Sequence, residues 1–129
     1  MGGTLSDAVK NGPNTKERTL QAKAEMTIVL SAVAEYFNLP VAELREGTRN
    51  RAAVLPRQIA MYLAKQMTAA SLQEIGQEFG GKHHTTVMHS IAKIDEQRHV
   101  DKDMNRAVSR LLEKLGPRSD MDSAGLDDV

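Results

Sequence analysis

The chain has 129 residues, 40% hydrophobic and 3% aromatic, with 17 basic and 17 acidic side chains and no Cys. That length suits one domain with loose ends, and the missing cysteines exclude a disulfide framework or a Cys-ligated zinc site and fit a reducing cytoplasm. Frequent Ala, Leu, Met, Glu, Gln and Lys favour an all-α fold packed through aliphatic side chains over a β-sandwich.

Residues 1–15 form a lead-in with Gly, Asn and Pro but no periodic apolar face, and are expected to be disordered. From 16 to 37, Ile28, Val29, Ala32, Val33, Tyr36 and Phe37 recur at three- and four-residue spacing, which predicts an amphipathic helix stopped by Asn38 and Pro40. A short turn at Val41 to Leu44 leads into EGTRNRAAVL, which has no helical stripe and reads as an exposed basic loop carrying Arg49 and Arg51. Pro56 suits the first turn of a second helix running to about Met67, with Ile59, Tyr62, Leu63 and Met67 as its buried stripe.

Ser71 followed by Glu74 is a capping box opening a short third helix, with Leu72, Ile75 and Phe79 apolar and Gly80-Gly81 at its end. A fourth helix starts near His84 or Thr85 and buries Val87, Ile91 and Ile94. Asp101 caps a fifth with Met104, Val108, Leu111, Leu112 and Leu115 inside, ended by Gly116 and Pro117. Residues 116–129 then form an acidic tail. No apolar stretch approaches the about 18 residues that span a bilayer, so a membrane is not expected as a partner.

The zero net charge hides an uneven distribution. Residues 1–44, 45–93, 94–115 and 116–129 carry balances of −1, +4, 0 and −3, and three of the four His lie in the basic middle segment. A polyanion responds to that local field more than to the total. Two short helices joined by a Gly-containing turn describe a helix-turn-helix. Lys82, His83, His84, Thr85 and Thr86 crowd the first turn of the fourth helix, where backbone N–H groups and the helix dipole favour phosphate and side chains can reach base edges. The competing reading is that the threonines only cap the helix and the histidines are solvated.

Three segments sharpen the choice: AEYFNLPVAELREGTRNR, then PRQIAMYLAKQMTAASLQEIGQEF, then GGKHHTTVMHSIAKI. With them the chain, from about Ile28 to Leu115, resembles the C-terminal DNA-binding domain (domain IV) of the bacterial replication initiator DnaA. The resemblance implies a compact helical bundle containing a helix-turn-helix, Trp-repressor-like in arrangement, over residues 16–115 with its core at 28–115. It implies a monomer that binds double-stranded DNA at the asymmetric DnaA box of a replication origin, in the bacterial cytoplasm at the nucleoid. Base contacts would come from His83, His84, Thr85 and Thr86 in the major groove and from Arg49 in the adjacent minor groove. Arg51, Arg57, Gln58, Lys65, Leu72, Gln73, Lys82, His89 and Lys93 would face the phosphate backbone.

Two departures from that family stand out. It carries an acid at the position of His83, where a carboxylate accepts from a cytosine amino group; a protonated imidazole can only donate, and would favour a purine acceptor. DnaA proteins also have an ATP-binding AAA+ module ahead of this domain, and residues 1–27 do not read as one. ATP is thus expected as a cofactor only if such a module precedes this chain.

No enzyme is expected, since the sequence offers no nucleophile–base pair. Gly76 to Lys82 fits most of a phosphate-loop pattern, but His83 stands where the Mg²⁺-holding hydroxyl would be and the segment reads as helix. His84 and His89, five apart, face different sides of a helix, so no metal site is expected. Met61, Met67 and Met88 read as core or surface filler. The alternative to a DNA-binding module is a stand-alone helical protein that regulates the initiator by protein contact, which the acidic tail favours.

Overall fold

The structure, a computed structural model, describes residues 15–46 and 50–116. Nearly all of the expected lead-in and acidic tail, and Arg49, lie outside the described residues.

Helix α1 spans Thr15–Phe37 and turns Ala22, Met26, Val29, Leu30 and Val33 into the core at three- and four-residue spacing. Ile28 and Tyr36, grouped with its apolar face in the sequence, are instead 54% and 43% exposed. They share an edge of the helix with Ala32, four residues from each, and only that small side chain is covered. Asn38 ends α1 with a φ of 57°, and Leu39 N–H donates back to Ala34 O at 2.8 Å. This six-to-one bond is a Schellman closure, in which Asn is the usual substitute for Gly. Pro40 then opens the short α2, Val41–Arg45, whose Leu44 is fully buried.

The stretch that reads as loop is more ordered at its end. Asn50 Oδ1 accepts from Ala52 N–H at 2.9 Å and starts a 3-10 turn, Arg51–Ala53, that runs directly into α3, Val54–Met67. Pro56 therefore sits at the third position of α3, where its missing N–H still costs no intrahelical bond. Ile59 through Ala64 are buried without interruption, so the middle of α3 is covered on every side where a single stripe was expected. It packs against every other element, most extensively against α1 and the helix His84–Gln97.

Helices α4 (Leu72–Glu78), α5 (His84–Gln97) and α6 (Lys102–Leu115) complete the all-α bundle, with no strand among the described residues. Asp101 Oδ1 accepts from Met104 N–H at 3.0 Å to cap α6, which buries Met104, Ala107, Val108 and Leu111. Arg98, at the C-terminal end of α5, donates to Tyr62 Oη at 2.9 Å, Asn105 Oδ1 at 2.8 Å and Ser109 Oγ at 3.5 Å. One guanidinium thus joins α3, α5 and α6 at the end of α5 opposite His84. None of the described helices is long and apolar enough to cross a membrane.

Candidate nucleic-acid interface

Two local devices set the corner between α4 and α5. At the start of α4, Ser71 Oγ accepts from Glu74 N–H at 3.1 Å and Glu74 Oε1 accepts from Ser71 N–H at 2.8 Å, completing the capping box. At its end, Phe79 is fully buried while Gly80 and Gly81 take φ values of 83° and 75°, a left-handed pair that side chains rarely tolerate. The chain then folds back, and Lys82 N–H donates to Gly76 O at 2.8 Å. A Cβ on Gly76 would collide with the Lys82 carbonyl. The first glycine of the apparent phosphate-loop pattern is therefore a buried helix residue under the turn, and Gly76 serves close packing.

Beyond the turn, His83 is the N-cap of α5, with φ −67° and ψ 146°. Its Nδ1 accepts from Thr85 N–H at 3.2 Å and lies 2.7 Å from Thr85 Oγ1. The His84 ring lies against it, with centroids 4.4 Å apart and planes 31° apart. His83, His84 and Thr86 are exposed, and Lys82 and Thr85 half-buried. Val87, Ser90 and Ile94 hold α5 to the bundle. Thr85, His89 and Lys93 follow one another at four-residue spacing, so the exposed His89 and Lys93 extend the surface that begins at the N-terminal turn. No acidic residue occurs between Glu78 and Asp95, so this segment itself contributes no negative charge until the last turn of α5.

The remaining candidates lie on other elements. Arg51 is exposed on the 3-10 turn, Lys65 is exposed and Gln58 half-buried on α3, and Gln73 is exposed and Leu72 half-buried at the start of α4. Arg57 is different. It is only 7% exposed, and its Nε and Nη2 donate to the carbonyls of Leu44 at 3.1 Å and Glu43 at 2.9 Å. It therefore clamps the C-terminal end of α2, from which the basic loop departs.

A second arginine does related work that the sequence did not disclose. Arg45 pairs with Glu78 at 3.0 Å and donates to Thr27 Oγ1 at 3.4 Å, tying α2 to α4 and α1, while its Nε is buried with no hydrogen-bond partner. The only sequence signal for it was an Arg in the last turn of a short helix, where a cation is ordinarily explained by the helix dipole. The capping role of His83 was also missed, although an acid at this position in the resembled family is itself a common N-cap. No group of three His, Asp or Glu that could hold a metal occurs among the described residues.

Comparison with known proteins gives the following matches. Residues 26–94, more than half of the chain, match the family described as bacterial dnaA protein helix-turn-helix. The chain is 53% identical over 87 residues to the chromosomal replication initiator protein DnaA of Lactobacillus acidophilus, covering 67% of this chain and 19% of that protein. It is 40% identical over 98 residues to the protein of the same name from Zymomonas mobilis, covering 76% and 20%. The chain thus spans about a fifth of these relatives. A crystal structure of a DNA replication initiation factor superposes with a TM-score of 0.66 at 31% identity, over 78% of this chain and 30% of the other.

Proposed function

Because the chain belongs to the bacterial DnaA helix-turn-helix family, we propose that it binds double-stranded DNA at DnaA-box-like sites, in the initiation of chromosomal replication or its regulation. The observation that carries this reading is the N-terminal turn of α5. A Gly80-Gly81 corner presents His83, His84, Thr85 and Thr86 at a helix start, in a segment with no acidic residue from 79 to 94. Helix starts of this kind enter the major groove in helix-turn-helix domains. Thr86 and Thr85 offer a hydroxyl and a methyl to base edges, and His84 offers ring nitrogens.

In this reading Lys82, His89, Lys93, Lys65, Gln58, Gln73, Arg51 and the N–H groups at Leu72 meet phosphates, with Arg49 in the minor groove. Arg57 contributes chiefly by fixing the approach of the basic loop. The chain acts as a monomeric binding module at nucleoid DNA, without catalysis or a cofactor of its own. The experiment is a titration of fluorescent duplexes at several salt concentrations. Affinity for a DnaA-box duplex should fall steeply with salt, because each neutralised phosphate releases counterions. Affinity that does not change between low and physiological salt would refute the proposal.

A further inference from the structure

His83 and Thr85 are bonded to each other in a way that fixes what each can offer to a ligand. A backbone N–H can only donate, so the Nδ1 that faces Thr85 N–H at 3.2 Å carries a lone pair. The neutral ring therefore carries its hydrogen on Nε2. Thr85 Oγ1 lies 2.7 Å from the same Nδ1, within hydrogen-bond distance of that lone pair. The hydroxyl hydrogen of Thr85 must then point at His83, leaving its oxygen lone pairs outward. The His84 ring lies against His83, with centroids 4.4 Å apart.

We infer that His83 and Thr85 form a pair of fixed polarity, His83 Nε2–H donating outward and Thr85 Oγ1 accepting, so that the chain selects guanine where a carboxylate at 83 selects cytosine. In the major groove guanine presents two acceptors, O6 and N7, whereas cytosine presents only its amino donor. A carboxylate N-cap can make the same cap to the Thr85 N–H, but its free oxygen accepts. Exchanging the acid for His keeps the cap and inverts the outward polarity. No protonated imidazole is needed for this, in contrast to the route that the sequence suggested. Protonation of Nδ1 would break the cap.

This inference rests on the DNA-binding reading, and the test separates the two. Duplex selection from a randomised library is run on the native chain, on His83→Asp and on His83→Ser, which retains a capping oxygen but lacks the Nε2–H. The native chain should prefer guanine at one position by about five- to tenfold. His83→Asp should prefer cytosine at that position, and His83→Ser should show no preference there while selecting the rest of the site. A long-range proton–nitrogen correlation spectrum of the free chain should show Nε2 protonated and Nδ1 bare. The same base chosen by all three proteins, or a proton on Nδ1, overturns the inference while the DNA-binding reading stands. No sequence selection by the native chain overturns both.

Discussion

The carbonyl of Lys82 occupies the place that a Cβ on Gly76 would take, and the Lys82 N–H donates to the carbonyl of that same glycine at 2.8 Å. The turn closes back onto α4 at this backbone-to-backbone approach. Gly81 has the opposite character: nothing lies within 4 Å of a Cβ built there, but its φ is 75°.

The two glycines should therefore respond differently to substitution. Gly76→Ala should destabilise by about 1–3 kcal/mol through overpacking, and Gly76→Asn should be no better. Gly81→Ala should cost about 1–2 kcal/mol of left-handed strain, most of which Gly81→Asn should recover. Urea melts of the four variants check this. Equal recovery by Asn at both positions would show that the approach at Gly76 relaxes.

Arg57 and Lys65, eight residues apart on α3, separate positioning from phosphate contact. Arg57→Ala removes two hydrogen bonds from a charged donor and leaves the Leu44 and Glu43 carbonyls without it, so a loss of about 2–4 kcal/mol in stability is expected. Arg57→Lys should restore little, since one ammonium does not reproduce the fork. Lys65→Ala should change stability by less than about 0.5 kcal/mol. It should weaken box and scrambled DNA alike and lower the salt slope by about one. Thermal melts and salt-dependent binding of both variants distinguish these outcomes.

The elements whose signals are local were legible in the sequence. Ser71 with Glu74, Asp101 before Met104, and Asn38 ahead of Pro40 each act on backbone groups within a few residues, and each boundary lies where those residues put it. What depends on contacts distant in the chain was not legible. Ile28 and Tyr36 share the spacing of buried neighbours, and only the course of the other helices decides which edge of α1 is covered. The helical start at Val54 depends on the Asn50 cap and on burial of Ala53, which leave no stripe to read. In the candidate interface, the crowding of Lys82 to Thr86 at one helix start was readable. The burial of Arg57 was not, because its acceptors are backbone carbonyls 13 and 14 residues away.

Arg98 and Tyr62, 36 residues apart, hold the far end of α5. Tyr62→Phe should cost about 1 kcal/mol, the net value of one hydrogen bond. Arg98→Ala should cost more, because Asn105 and Ser109 also lose their donor. The two losses should be non-additive by at least about 0.5 kcal/mol in a double-mutant cycle. Strict additivity would mean that the Arg98–Tyr62 bond contributes nothing to holding the end of α5 on α3.

The most direct test of the account is the ratio of affinities for a DnaA-box duplex and a scrambled duplex of equal length, measured by competition at one salt concentration. For the native chain the account predicts a clear preference for the box, narrowed by Thr86→Ala by about 1–3 kcal/mol with the melting temperature unchanged. Equal affinities for the two duplexes, or a ratio that Thr86→Ala leaves intact, would contradict the claim that the start of α5 reads DNA.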